Sequence, residues 1–357
     1  MTTPDTSAGS FGANSWLVEE MYKQFRADPA SVSETWREFF DDYKPLAPAA
    51  ASPVAAPAVP PAATPAAGTT GTAAVQTNSA SVAATDQAAD PGEPIRGAGV
   101  AIAANMERSL SVPTATSFRN IPAKLLEVNR SVINGYRSRT GQGEVSFTHL
   151  IGYAIVRAIA DAVPNMNNTF ATGADGKPRL VRNEHVSMGL AVDVSKADGS
   201  RTLVVPVLRD ADVLDFAGFL AAYEDLIRKV KSNKLAVSDF QGATISLTNP
   251  GTIGTVQSVP RLMPGQGVIV GVGSIDYPAE FSAADERTLA ELGVSKTVTI
   301  TSTYDHRIIQ GAESGMFLKA VHERLIGQHG FWDDVFSSLG VPYEPIQWKR
   351  DVNPVDR

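Results

Sequence analysis

Apolar positions return along this chain in two rhythms. Leu125, Leu126, Val128, Val132 and Ile133 recur every three or four residues, and Gly141 lies just past the end of the stripe. A second, more strongly apolar stretch runs from about Thr148 to Ala162 and stops at Pro164. Phe216, Phe219, Leu220, Tyr223, Leu226, Ile227 and Val230 share one face of a third stretch, and Met316, Phe317, Leu318, Val321 and Leu325 follow Gly311 in a fourth. That spacing predicts four helices. Between them lie strand-like runs: SFRNIP (117–122), HVSMGLAVDVS (185–195), TLVVPVLRDAD (202–212) after a DGSR turn, ATISLTN (243–249), GVIVGVG (267–273) and KTVTITSTYDHR (296–307). Helices alternating with partly continuous, partly alternating strands predict an α/β (α+β) layered domain around a mixed sheet.

Outside this body, the pattern changes twice. Residues 1–45 form an arm in which Trp16, Leu17, Met21 and Phe25 fall at helical spacing, as do Val32, Trp36, Phe39 and Phe40. Asp28-Pro29 breaks the first helix, and Ser31 or Ser33 caps the second. Two helices so short cannot bury their aromatics alone. The arm therefore reads as a partner-docking hairpin, the other reading being an arm packed on its own chain. Residues 46–95 are alanine, proline, threonine and glycine with almost no charge. Proline denies this stretch a helix and alanine offers too little apolar area to offset ordering, so it reads as a disordered, semi-extended linker. Residues 96–342 are the globular body, and 343–357 read as the start of a linker to a missing C-terminal region.

The chain has 357 residues, enough for two average domains or one with long additions. Its net charge of −7 argues against nucleic acid as a partner, since phosphate neutralisation needs a basic face. Cysteine is absent, which excludes disulfides, cysteine-ligated zinc and a cysteine nucleophile, and no metal site is expected. Without a basic-then-apolar start or a run of about 20 apolar residues, neither a signal peptide nor a membrane span is expected, and the sequence reads as cytoplasmic.

Two short stretches carry candidate chemistry. In TYDHRIIQG (303–311), His306 ends a strand and a helix begins within a few residues, a place where a scaffold holds a side chain while a ligand can still reach it. An imidazole near its ordinary value of about 6.5 accepts a proton at neutral pH. A histidine merely hydrogen-bonded at a strand end is the alternative. In ISLTNPGTIGT (245–255), Thr248 ends a strand before an Asn-Pro-Gly turn, so a hydroxyl would stand beside glycine-rich backbone, as a developing oxyanion requires. An ordinary strand-turn sequence would look the same. PGQGVIVGVGS (264–274) lacks the G-x-G-x-x-G spacing and a following helix, and reads as a glycine-rich strand.

With VPTATSFRNIPAKLLEVNR, VPNMNNTF, HVSMGLAVDV, LVVPVLRDAD, ISLTNPGTIG and TYDHRIIQGAES in this order, the body resembles the catalytic domain of the 2-oxo acid dehydrogenase dihydrolipoyl acyltransferases. These are relatives of chloramphenicol acetyltransferase, whose layered fold the resemblance implies. The whole chain is similar to the N-terminal part of the fused actinobacterial 2-oxoglutarate dehydrogenase/decarboxylase, in which a WLVEEMY-type arm and an Ala/Pro linker precede a succinyltransferase domain.

That resemblance implies a dihydrolipoyl succinyltransferase. His306 matches the base that deprotonates the coenzyme A thiol, and Thr248 the hydroxyl that steadies the tetrahedral oxyanion. Gln310 stands where most of the family has aspartate. A glutamine can orient the imidazole but adds no charge, so a weaker base is expected. The family forms a homotrimer with its site in a channel between subunits, so His306 and Thr248 are expected to meet across an interface. Asn249 and Gly251 are expected to line that channel, with Arg108 and Arg119 meeting the coenzyme's phosphates. Before residue 95 there is no lipoyl-type lysine between Asp and Ala, so the lipoate is expected on another protein. The expected partners are a lipoyl-bearing acyltransferase and dihydrolipoamide dehydrogenase. Thiamine diphosphate and Mg would belong to the absent C-terminal region. Two alternatives stand: a weak or inactive acyltransferase fold kept as a trimeric scaffold for the decarboxylase, and a free-standing acetyltransferase of the chloramphenicol type.

Overall fold

The computed structural model describes residues 11, 14–41, 43, 92–95, 98–195 and 201–348. Most of the Ala/Pro stretch, the Trp16 side chain, most of the DGSR turn and the tail after residue 348 lie outside them.

A seven-stranded mixed sheet carries the body. At one edge, β1 (Thr114–Pro122) pairs antiparallel with β9 (Thr297–Asp305), and β9 pairs antiparallel with β8 (Val268–Asp276). Then β8 pairs parallel with β7 (Ile245–Thr248), and β7 parallel with β4 (Met188–Ser195). At the far edge β4 meets β5 (Arg201–Val204) and β6 (Val207–Leu208), both antiparallel. The run TLVVPVL is thus two strands, not one. Pro206 has no N–H to donate, and only its carbonyl joins the sheet by accepting from the Leu190 N–H at 2.8 Å. A small hairpin of β2 (Thr169–Thr172) and β3 (Pro178–Val181) stands apart.

The helices α4 (Lys124–Arg139), α5 (Phe147–Asp161), α6 (Phe216–Lys231) and α8 (Gly311–Leu325) fall where the apolar stripes predict them. Ser146 caps α5 reciprocally: its hydroxyl accepts from the His149 N–H at 3.2 Å, and His149 Nδ1 accepts from the Ser146 N–H at 3.1 Å. Asp215 caps α6 through the Gly218 N–H at 2.8 Å, and Arg228, Lys229 and Lys231 face the negative end of its dipole. One apolar core joins Leu150, Ile151, Ile155 and Ile159 of α5 to Phe216 and Phe219 of α6, Phe317 and Val321 of α8, and Val268, Val270 and Ile300 of the sheet.

β9 shows how the layers are made. Val298, Ile300 and Tyr304 join the apolar core, while the alternate residues Thr299, Thr301 and Thr303 are buried hydroxyls. Each hydroxyl is satisfied: Thr299 by Asn120 at 2.8 Å, Thr301 by the Ser258 carbonyl at 2.9 Å, and Thr303 by Thr116 at 2.9 Å.

Among the described residues three helices stand beyond those the periodicity marks: α3 (Ala98–Ser109), the short α7 (Glu286–Glu291) and α9 (Phe331–Ser338). In the arm, α1 (Ser15–Ala27) and α2 (Glu34–Asp41) do form a helical hairpin. The expectation that its aromatic face docks on a partner is corrected here, because that face lies on the chain's own domain. Phe11, Val18, Val32, Trp36, Phe40 and Tyr43 are buried together with Val204, Val237 and Phe240. The Asn14 carboxamide donates to the Val205 carbonyl at 2.8 Å and accepts from the Val205 N–H at 2.9 Å, while Trp36 Nε1 donates to the Leu235 carbonyl at 3.3 Å.

Trp332 of α9 is fully buried and its Nε1 donates to the Leu325 carbonyl at 3.3 Å. Trp332→Ala removes a large core side chain and leaves that carbonyl unpaired. It is expected to lower unfolding stability by about 3–5 kcal/mol, read from urea titrations at constant m-value.

Candidate active site

Strand β7 ends at Thr248, where Asn249-Pro250-Gly251 turns the chain into a short 3-10 segment. Here the strand opens onto a cavity of about 680 Å³. Thr248 and Asn249 line it together with Thr148 of α5, Tyr223 of α6, Leu203 of β5 and Ile102 of α3. Asn249 Nδ2 donates to the Thr148 hydroxyl at 2.7 Å, which ties the turn to the start of α5. Its Oδ1 is buried without a partner among the described residues.

Gly251 lines a smaller neighbouring cavity of about 210 Å³, also bounded by Asn249, Thr148 and Arg130. Its more exact requirement is steric: a Cβ there would sit 2.2 Å from the Gly273 backbone. Glycine is what lets the turn lie flat on β8.

Behind this wall, His149 is buried with its Nε2 3.1 Å from a Glu224 carboxylate oxygen and its ring edge-on to Tyr223 at 4.5 Å. Burial, reinforced by the Arg137 and Arg130 charges, lowers this imidazole to about 4 despite the carboxylate. Burial likewise raises the Tyr223 phenol to about 12. Both are neutral at pH 7.

His306 stands elsewhere. It follows the last residue of β9, is exposed, and its N–H donates to the Pro113 carbonyl at 2.9 Å. Tyr304 lies edge-on to its ring at 5.5 Å. Among the described residues nothing hydrogen-bonds its imidazole nitrogens. The adjacent carboxylate is committed: Asp305, almost fully buried, holds Arg307 through Nε at 2.8 Å and a second nitrogen at 2.6 Å. Arg307 also lies 3.6 Å over the Phe170 ring. Gln310 caps α8, and its N–H donates to Glu313 at 2.7 Å. Its side chain makes no hydrogen bond to His306, so the orienting contact expected of it is not present within the chain.

Strand direction keeps the two candidate groups apart. Thr248 is level with Gly271 and, through it, with Thr301. His306 lies five positions beyond Thr301, roughly 16 Å along the sheet, and two strands across, roughly 10 Å. One chain does not bring His306 and Thr248 together.

Neither expected phosphate contact reaches the larger cavity. Arg119 Nε donates to His322 Nδ1 at 2.8 Å, and Arg108 hydrogen-bonds Asn105 in the last turn of α3. The arginine that does line it is Arg201, joined to Asp193 in the same wall. Sequence reading missed Arg201, although it closes the DGSR run at the start of a strand. Among the described residues no group of three acidic, histidine or cysteine side chains is placed to hold a metal, and no helix is long and apolar enough to cross a membrane.

The sequence profile described as the 2-oxoacid dehydrogenases acyltransferase catalytic domain matches residues 87–329, and that of the 2-oxoglutarate dehydrogenase N-terminus matches residues 9–46. The chain is 53% identical over 363 residues to the 2-oxoglutarate dehydrogenase E1/E2 component of Corynebacterium glutamicum, a match covering 97% of this chain and 30% of the relative. It is 46% identical over 405 residues to the multifunctional 2-oxoglutarate metabolism enzyme of a Mycobacterium species (strain KMS), covering 98% of this chain and 32% of that one. It thus spans about a third of these curated relatives. Among solved structures, the dihydrolipoamide acetyltransferase of Azotobacter vinelandii is 25% identical with a TM-score of 0.52, covering 66% of this chain and 88% of that one.

His149 gives the domain an acid limit. Unfolded, its imidazole binds a proton below about 6.5, whereas folded it does so only below about 4. The unfolded state therefore gains protons first, and stability falls as pH drops from 6.5 towards 4. About 3 kcal/mol is expected to be lost across that window. His149→Gln should flatten this part of the pH profile in urea titrations.

Proposed function

Since the chain belongs to the acyltransferase catalytic-domain family of the 2-oxoacid dehydrogenases, we propose that it transfers a succinyl group from a dihydrolipoyl thioester to coenzyme A. The observation that carries this reading is the cavity at the end of β7, where a strand-end hydroxyl stands beside a turn kept clear by Gly251. Succinyl is favoured because the relatives are named for 2-oxoglutarate, whose loss of CO2 leaves a succinyl unit.

In this reading His306 takes the proton from the coenzyme's thiol. The thiolate adds to the thioester carbonyl, and Thr248 donates its hydroxyl hydrogen bond to the oxyanion that forms. Collapse breaks the carbon–sulfur bond to the lipoyl group, and the imidazolium returns its proton to the departing sulfur. The roughly 16 Å between the two residues along the sheet supports their acting from different copies, in a homotrimer with one site at each interface. The Azotobacter enzyme offers a parallel: its catalytic mechanism is discussed through a serine, a histidine and an asparagine four positions after the histidine. Thr248, His306 and Gln310 correspond in kind, and His306 and Gln310 also share the four-residue spacing.

Asn249 and Gly251 shape the channel, and Arg201 is the cation inside it, with Arg108 and Arg119 outside as approach residues for the coenzyme's phosphates. The lipoyl group arrives on another protein, with dihydrolipoamide dehydrogenase as a further partner. Thiamine diphosphate and Mg belong to a decarboxylase part beyond these residues, in the cytoplasm. A second reading, a trimeric scaffold with little activity, draws on the missing bond between Gln310 and His306.

Succinyl transfer from succinyl-dihydrolipoamide to coenzyme A is expected to fall about 100- to 10,000-fold in His306→Ala and about 100- to 1,000-fold in Thr248→Ala. Mixing the two inactive chains should restore about a quarter of the sites, because one interface then carries both intact groups. Activity that survives His306→Ala would remove the proposed base, and no rescue on mixing would remove the shared site.

Gln310→Asp should raise kcat and move the acid limb of the kcat/KM profile to higher pH, since a carboxylate favours the imidazolium. An unchanged profile would show that position 310 does not address the imidazole.

A further inference from the structure

Two walls of the Thr248 cavity rest on the arm. Strand β5 has four residues and pairs on one side with β4 alone. Its Thr202 and Leu203 line the cavity. The next residue, Val204, is buried among the arm's aromatics, and both backbone groups of Val205 are held by the Asn14 carboxamide. Asn14 supplies the donor and the acceptor that a neighbouring strand would supply, so it closes an otherwise open sheet edge. Asn14 is itself 3% exposed, and among the described residues its side chain makes no other polar contact beyond a long one to the Phe240 carbonyl.

The second wall is α3, whose Ile102 faces the same cavity and which lies beside α1. Val100, Ile102 and Met106 of α3 remain well exposed, so little apolar contact of its own secures this helix. A four-residue edge strand and a thinly packed helix are the elements that open first in a folded domain. The arm touches both.

We infer that Asn14 and Trp36 are positioning residues for the acyl-transfer cavity, and that coenzyme binding there depends on the arm being docked. The arm is then a working part of the site rather than only a tether for the linker that follows it. Undocking would loosen β5 and α3 together and would leave the chemical groups, on β7 and β9, where they are. The expected signature is therefore a higher KM with little change in kcat.

The coenzyme A part of this inference rests on the reading given under Proposed function, whereas the mechanical coupling of arm, β5 and α3 does not. The test uses the full chain and its Asn14→Ala and Trp36→Ala variants, with Lys23→Ala on the exposed side of α1 as a control. Hydrogen exchange is followed at residues 98–109 and 201–205, and at the α5 core as a check on global folding. Coenzyme A affinity is measured by calorimetry alongside KM and kcat. Expected are faster exchange in both wall segments, unchanged protection in α5, and coenzyme binding weakened about fivefold or more, with Lys23→Ala behaving as the unmodified chain. Unchanged exchange at 201–205 in both variants would overturn the coupling. Faster exchange with unaltered coenzyme affinity would overturn the dependence of binding on the arm. If the unmodified chain does not bind coenzyme A, the transfer reading fails, and exchange alone then decides the coupling. Should Trp36→Ala unfold the domain, seen as lost protection in α5, Asn14→Ala decides, since it removes two hydrogen bonds and little apolar surface.

Discussion

The pairing of β9 antiparallel to β8 governs everything that follows in this molecule. Because β7 and β8 run parallel and β9 runs back, the hydroxyl at the end of β7 and the imidazole after β9 emerge at opposite ends of one sheet. No side chain is long enough to cross that span. A reaction needing both groups has to be assembled from two copies of the sheet, and oligomerisation then becomes part of the chemistry rather than a matter of stability.

The electrostatics at the two ends are arranged differently. Near Thr248, His149 is buried behind the cavity wall and kept neutral, burial outweighing the Glu224 carboxylate; the partly buried Tyr223 in the wall keeps its phenol proton, and Arg201 and Asp193 of the same wall offset each other as an ion pair. Near His306, charge is present but spent locally. Asp305 and Arg307 neutralise each other in a two-bond fork, and Arg307 is further pinned on Phe170. The fork fixes the backbone on both sides of His306 without lending the imidazole a partner. Gln310, bound through its backbone to Glu313, leaves the ring equally alone within the chain.

Much of the fold was legible in the residues. Apolar stripes marked α4, α5, α6 and α8, and alternation marked the main strands, because each of these elements buries one continuous face. What escaped has a physical reason in each case. α3, AGVAIAANMERS, shares the small-residue composition of the linker before it. α9 is only eight residues long and takes its stability from burying Trp332 and Phe336. Pro206 divides a run that reads as one strand. The arm was visible as two helices, but which surface its aromatics would meet is a long-range question, and Val204, Val237 and Phe240 lie some two hundred residues away. At the site, Thr248 and His306 stood out through their strand-end positions, and the family resemblance supplied their expected roles. Arg201 and His149 did not stand out, since an arginine at the start of a short strand and a histidine in an apolar helix carry no local signature of a cavity wall.

The row of threonines on β9 has a consequence for assembly of the sheet itself. Thr299, Thr301 and Thr303 each meet a different kind of acceptor or donor, on Asn120, the Ser258 backbone and Thr116. Sliding β9 by a single residue would turn all three hydroxyls into the layer of Phe317 and Val321 and push Val298 and Ile300 onto polar neighbours. The strand is indexed like a key with one depth of cut, and the loop that bears His306 inherits that indexing: its height above the sheet is set by the chain's own hydroxyls before any second copy arrives.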